Sequence, residues 1–272
     1  MLRARRLAST VVAASLAVGG LSACRSEPSV AAYLGAAGQV SEREVQEIWD
    51  EAHDALTTQA RAEAAAAETA QRDKEEKARQ AGEKVKPAPT ITAKPVRMPF
   101  SRADIVHALV THELYERVAE QRRVNLPADV PYAEAAAEAK LPTDSAYVRL
   151  SVENVYFYRS LMQSVGASAA APADADVRRV YDKLAAAGGV APGQDYTAWK
   201  AALSPQNQQA VAAAGLIRDA VQTAAADLRV KVNPRYHPFE VSVLGTQTET
   251  ATLHLLTTDF GDDQSVPVAD VS

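Results

Sequence analysis

Apolar positions along this chain change period several times, and each change marks an element. Leu7 to Val18 is apolar without a period, broken only by small hydroxyls, and ends at Gly19-Gly20. It is too short to cross a bilayer as a helix. Val30-Ala31-Ala32-Tyr33-Leu34-Gly35 reads as a short strand, followed by a turn at Gly38. Ser41 with Glu44 makes a capping box that opens a helix. On that helix Val45, Ile48, Trp49, Ala52 and Leu56 share one face. Residues 57–84 are then alanine and charge with no large apolar side chain. They read as an exposed helical extension or a disordered segment. Residues 85–99 hold four prolines and read as an extended linker.

Ser101 and Asp104 form a second capping box. Behind it Ile105, Val106, Leu109, Val110, Leu114 and Val118 spread widely around the helix, which predicts a central element packed on more than one side. A turn at Asn125-Leu126-Pro127 leads to an alanine-rich helix near 131–141, stopped by Pro142. Thr143 is expected to cap the most regular helix, on which Tyr147, Leu150, Asn154, Phe157, Tyr158, Leu161 and Val165 keep helical spacing. Asp174 begins another, with Val177, Val180, Tyr181 and Leu184 inward and Gly188-Gly189 at its end. Asp195 caps a short helix containing Trp199 and Leu203. Ser204-Pro205 supplies the N-cap and first-turn proline of a long final helix to about Leu228. Arg229 to Val232 and Val241 to Leu244 read as strands, with a weaker one over Thr250 to Leu256. The fold class is mainly α, with a minimal sheet. The chain divides into residues 1–23, a tether at 24–29, a strand and helix at 30–56, an arm and linker at 57–99, a helical body at 100–244 and a C-terminal tail at 245–272.

The N-terminal pattern gains meaning from its flanks. Arg3, Arg5 and Arg6 give a positive n-region ahead of the apolar stretch. Leu21-Ser22-Ala23-Cys24 then resembles the lipobox of bacterial prolipoproteins. The resemblance implies a diacylglycerol on the Cys24 thiol, recognition of Leu21, Ser22 and Ala23 by lipoprotein signal peptidase, and cleavage before Cys24. The expected location is the outer face of the cell membrane, with Sec as the export route. Two acyl chains suffice for stable attachment. Cys24 is the only cysteine, so once lipidated it leaves no thiol for a disulfide or a nucleophile. The formal charge is −5, and loss of the three arginines makes it more negative. Such a chain is a poor candidate for nucleic acid, whose binding rests on Lys/Arg–phosphate contacts.

The two ends of the body carry a second resemblance. A short strand followed by Val40-Ser41-Glu42-Arg43-Glu44-Val45 resembles the start of the SurA/PrsA-type chaperone domain. Val230-Lys231-Val232-Asn233-Pro234-Arg235-Tyr236 resembles the closing strand of actinobacterial SurA-like lipoproteins. The resemblance implies a helical chaperone-type domain in which the late strand pairs with the first. Many relatives also carry a parvulin-type prolyl isomerase domain, and no segment here resembles one.

Candidate chemistry is sparse, and no catalytic or metal-binding residue and no cofactor beyond the Cys24 lipid is expected. His107 and His112 do not share a helix face well, and His112-Glu113 lacks the spacing of a zinc-protease helix. Gly188-Gly189 lacks the lysine of a phosphate loop. The feature with a binding reading is the cluster Tyr147, Tyr156, Phe157, Tyr158 and Leu161, which suits either a peptide-holding groove or plain core packing. The expected function is ATP-independent, lipid-tethered binding of exported or unfolded polypeptides. The alternative is an envelope protein that uses the same fold to bind one dedicated partner. A broad apolar cleft would mark the first, and a compact patch with a polar rim the second.

Overall fold

A computed structural model describes residues 29–82, 84, 90–166, 169–248 and 252–260. The expected signal segment, with Leu21-Ser22-Ala23 and Cys24, lies outside the described residues. The described chain is mainly helical, with two small antiparallel sheets.

The hub is α2 (Arg102–Arg122). Its capping box closes in both directions. The Ser101 hydroxyl accepts from the Asp104 N–H at 3.2 Å, and the Asp104 carboxylate accepts from the Ser101 N–H at 2.6 Å. Ile105, Val106, Val110, Leu114 and Val118 are all fully buried, because the helix is covered by α1 (Glu42–Gln80), α4 (Ala146–Gly166) and α7 (Pro205–Asp227). Each such side chain contributes about 1.5–3 kcal/mol by leaving water. Helix α7 meets α2 and α4 through Ala213, Ala214, Ile217, Val221 and Ala224, whose mostly small side chains permit close approach.

Two ends of the sequence meet in a three-stranded sheet of order β2-β1-β3, from β1 (Val30–Tyr33), β2 (Gln39–Ser41) and β3 (Lys231–Val232). Ala32 pairs with Val232 and Tyr33 with Lys231, antiparallel. Asn233 extends the tie, donating from its backbone N–H to Ala31 and from its side chain to the Val30 carbonyl. Gly35 sits at φ +54°, and a Cβ there would stand 2.2 Å from the Leu228 carbonyl oxygen. Only glycine fits this approach.

Helix α1 starts at Ser41, whose hydroxyl accepts from the Glu44 N–H at 3.1 Å. Its 39 residues extend about 58 Å at 1.5 Å per residue. Val45, Ile48 and Ala52 are its buried residues, so the distal half is an exposed helical arm. It persists through alanine propensity and i,i+4 pairs such as Gln59–Glu63 and Arg79–Glu75, each worth about 0.2–0.5 kcal/mol. Residues 90–99 are non-helical. Val96, Met98 and Phe100 turn inward in alternation, and Phe100 reaches back to the root of the arm against Trp49.

Two boundaries differ from expectation. The helix expected to begin at Thr143 begins at Ala146: Thr143-Asp144 form a turn, and the Ser145 carbonyl accepts from the Arg149 N–H at 3.0 Å. Residues 245–272 are not simply a tail. β4 (Glu240–Gln247) and β5 (Thr252–Asp259) pair as a hairpin that docks on α5 (Asp174–Ala186) and α7 and buries Val241, Val243, Leu255 and Leu256. Register shifts around Leu244 break the two-residue alternation, which weakens the strand signal in the sequence.

Candidate functional site

Helix α3 (Tyr132–Ala139) is short and packs on α4. It ends where Lys140 adopts a left-handed conformation, and Leu141-Pro142 turn the chain into α4. The arm root passes opposite. Between them lies an open cleft of about 690 Å³, walled by Ala55, Thr58 and Ala62 of α1 and by Ala136, Leu141 and Pro142. Its surface is mostly apolar, with Asp54 at one wall and Lys140 at the other. Ala55, Thr58 and Ala62 on one wall and Ala136 and Ala137 on the other are small and leave space between the larger Gln59, Lys140 and Leu141.

The contacts that hold the α3 wall are few. Ala136 is its one buried residue. Tyr132 donates to Glu153 of α4 at 2.7 Å, and the Arg149 guanidinium stands 5.2 Å from the Tyr132 ring. Glu153 also faces His112 Nε2 at 3.7 Å. His112 Nδ1 lies 3.2 Å from Asn154, whose amide donates to the Ala108 carbonyl at 2.9 Å. Burial holds the neighbouring Glu113 carboxyl above its ordinary range, with Glu116 adding to the effect.

The aromatic cluster, which suited either a peptide-holding groove or core packing, is mostly engaged in the fold. Phe157 and Leu161 are buried in the core. Tyr147 stacks on Phe100 at 3.7 Å, fixing the linker to the body. Tyr158 donates to the Val243 carbonyl at 2.8 Å, Tyr115 to Ser242 at 3.3 Å, and His107 Nε2 to Glu240 at 2.8 Å. Three helix side chains thus satisfy backbone carbonyls of β4. Burial pushes the Tyr147, Tyr158 and Tyr115 phenols upward, which favours the neutral form in which Tyr158 and Tyr115 donate. Tyr156, half-exposed like Tyr147 and Tyr158, lies outside these contacts, with Arg159 at 5.2 Å from its ring. Phe157 and Leu161 thus sit in the core, and Tyr147 and Tyr158 pack half-buried against it. The cleft lies elsewhere, on residues too small to announce themselves in the sequence.

Two further constellations escape sequence reading. On α5 and α6 (Tyr196–Ala201), Tyr181 meets Tyr196 and Trp199 edge-on or tilted. Asp174 accepts from both Lys200 and Tyr196 at 2.6 Å, and Arg178 stands 3.5 Å above the Tyr196 ring. The hydrogen bond from Lys200, then that from Tyr196, holds the Asp174 carboxyl below its ordinary range. Deeper in, Asp176 is 4% exposed as a residue, and its carboxylate is gripped by Arg218 of α7. Among the described residues no group of three or more His, Cys, Asp or Glu could hold a metal ion, and no helix is long and apolar enough to cross a membrane.

No family model matches the chain, and neither a curated protein nor a solved structure does.

Proposed function

We propose that this chain is a lipid-anchored extracytoplasmic lipoprotein, of SurA/PrsA-like character, that binds exported polypeptides without ATP. The observation that carries the reading is the open apolar cleft at the root of the arm. An unfolded segment has no fixed shape, and a shallow groove lined by small side chains takes bulky apolar side chains from many sequences. The exposed arm beyond it adds reach without adding stability. Leu21 to Cys24 supports the anchor, and the β1–β3 pairing agrees with what the resemblance implies about the joined ends.

Filling the cleft tests the reading. Thr58 and Ala62 are exposed, so Thr58→Trp with Ala62→Trp blocks the groove while leaving the core alone. The double variant is expected to keep the parent Tm and to lose most of its suppression of aggregation of a chemically unfolded test protein. Undiminished suppression would remove the cleft from the mechanism. Capture of one stoichiometric envelope protein, with no effect on unfolded clients, would favour the dedicated-partner alternative.

A further inference from the structure

The β2-β1-β3 sheet has two faces of opposite character. Residues directly opposite in an antiparallel pair project to the same side. Ala32 opposes Val40 and Val232, and all three are buried on the core side. Tyr33 opposes Gln39 and Lys231, so these three share the outer side, where Gln39 and Lys231 are exposed and Tyr33 is half-buried. Arg229, exposed at a left-handed turn, leads into β3, and Arg235 follows it. Residues 30–41 carry no charge at all, and residues 229–237 carry Arg229, Lys231 and Arg235 with no carboxylate. In a chain of 34 acidic and 29 basic residues this surface has a local excess of positive charge. The nearest acid on the following helix, Glu42, is already engaged by Arg235 at 3.4 Å and by the Tyr236 hydroxyl at 2.7 Å.

The middle strand of this sheet is also where the tether enters. The Ser29 carbonyl accepts from the Glu42 N–H at 2.8 Å, fixing the chain just ahead of β1. From Cys24 to Ser29 an extended chain reaches no more than about 18 Å at ~3.3–3.6 Å per residue. A lipid on Cys24 therefore keeps the edge of this sheet within that distance of the headgroups. Tyrosine and basic side chains suit that zone, since the ring is amphipathic and the cations meet phosphate.

Resting on the lipid-anchor reading, we propose that the outer face of the β2-β1-β3 sheet lies on the anionic headgroups of the anchoring bilayer. Lys231 and Arg229 contact phosphate, and Tyr33 sits at headgroup level. The body thereby takes one orientation, rather than swinging freely on its tether.

The test uses the full-length lipidated protein on vesicles of phosphatidylcholine and phosphatidylglycerol that carry a headgroup nitroxide quencher. Cys24 is the only cysteine and is occupied by lipid, so Gln39→Cys gives a unique site for a fluorescent reporter. Asp73→Cys, exposed on the distal arm, gives the control. The Gln39 reporter is expected to be quenched and the arm reporter not. Raising salt, or replacing both Arg229 and Lys231 by Gln, is expected to relieve the quenching, with the surface-docked fraction weakened about fivefold per cation removed. An unquenched Gln39 reporter on protein that still floats with the vesicles after a carbonate wash overturns the proposal and leaves the anchor intact. Quenching that is equal on pure phosphatidylcholine overturns the role of the cations. Lipid-processed protein that does not float overturns the anchor reading and this proposal with it.

Discussion

Arg218 is expected to be among the most costly single side chains to remove. Its guanidinium faces the carboxylate of Asp176, whose side chain is 6% exposed, and donates to Asp219 at 2.6 Å. Burial works against the charge on Arg218, but the hydrogen bonds to Asp219 and Asp176 outweigh it and raise its proton affinity. Gly215 belongs to the same arrangement: a Cβ there would stand 2.7 Å from Asp176 Oδ2, so the carboxylate occupies the space a side chain would need. Arg218→Met keeps the aliphatic stem and leaves a buried carboxylate with Arg179 alone, at 3.8 Å and 61% side-chain exposure. Breaking a buried pair by removing one partner costs about 3–5 kcal/mol. The residual Arg179 places the expected loss near the lower end, about 3 kcal/mol. For a chain of this size that lowers Tm by about 6–12 °C. Urea unfolding followed by far-ultraviolet circular dichroism measures it. Asp176→Leu combined with Arg218→Met removes both charges and is expected to be more stable than Arg218→Met alone, a coupling that a double-mutant cycle isolates. If Arg218→Met stays within about 0.5 kcal/mol of the parent, as a surface substitution would, the pair is not the buried clamp described here.

Gly35→Ala places a methyl group against the Leu228 carbonyl at a positive φ, so a loss well above about 1 kcal/mol is expected from the same urea titration. Burial, followed by the hydrogen bond to Glu42, pushes the Tyr236 phenol up to about 12. A phenol that ionises later in the folded state than in the unfolded one stabilises the fold fully below pH about 10. That stabilisation is then lost as pH rises through about 12. The stability gap between the parent and Tyr236→Phe should therefore close across that window, and a constant gap would refute the assignment. Deleting residues 60–95 and rejoining the chain with a short Gly/Ser link is expected to leave Tm nearly unchanged, because no residue of α1 beyond Ala52 is buried. A large fall would make the arm part of the core.

Helices were legible where their signals are local. Ser41, Ser101, Asp195 and Ser204-Pro205 each cap the helix expected of them, because a cap and its N–H lie three residues apart. The β1–β3 closure was legible through its two end motifs. Both strands of the hairpin were legible, the second weakly, but their pairing and docking were not, because the bulge mixes inward and outward positions and the partners are Tyr115 and Tyr158, more than eighty residues upstream. Asp176 was invisible for a similar reason: on a helix of acids and arginines nothing local marks which carboxylate is buried, and its partner is 42 residues away. The aromatic run of α4 was read correctly as one helix, but periodicity cannot tell an aromatic that lines a groove from one that closes a core. The cleft is defined by small residues facing one another, and absence of bulk leaves no pattern to read.

The two walls of that cleft differ mechanically, and the difference bears on what they can hold. The α1 wall is continuous with Val45, Ile48 and Ala52, so displacing it would open the core around α2. The α3 wall rests on one buried alanine, the half-buried Ala135 and Ala139, one tyrosine–glutamate hydrogen bond and packing mainly against α4. Few buried contacts mean that α3 can shift at a small fraction of the global stability. If the proposed binding function holds, a fixed wall opposed to a more loosely packed one would give a groove whose width can adjust to its occupant while the rest of the body stays folded. Clients of unlike sequence need that adjustability, whereas one dedicated partner would be better served by two rigid walls. The Tyr132–Glu153 bond then sets how readily the groove widens, and it lies at the opposite end of α3 from the cleft residues Leu141 and Pro142.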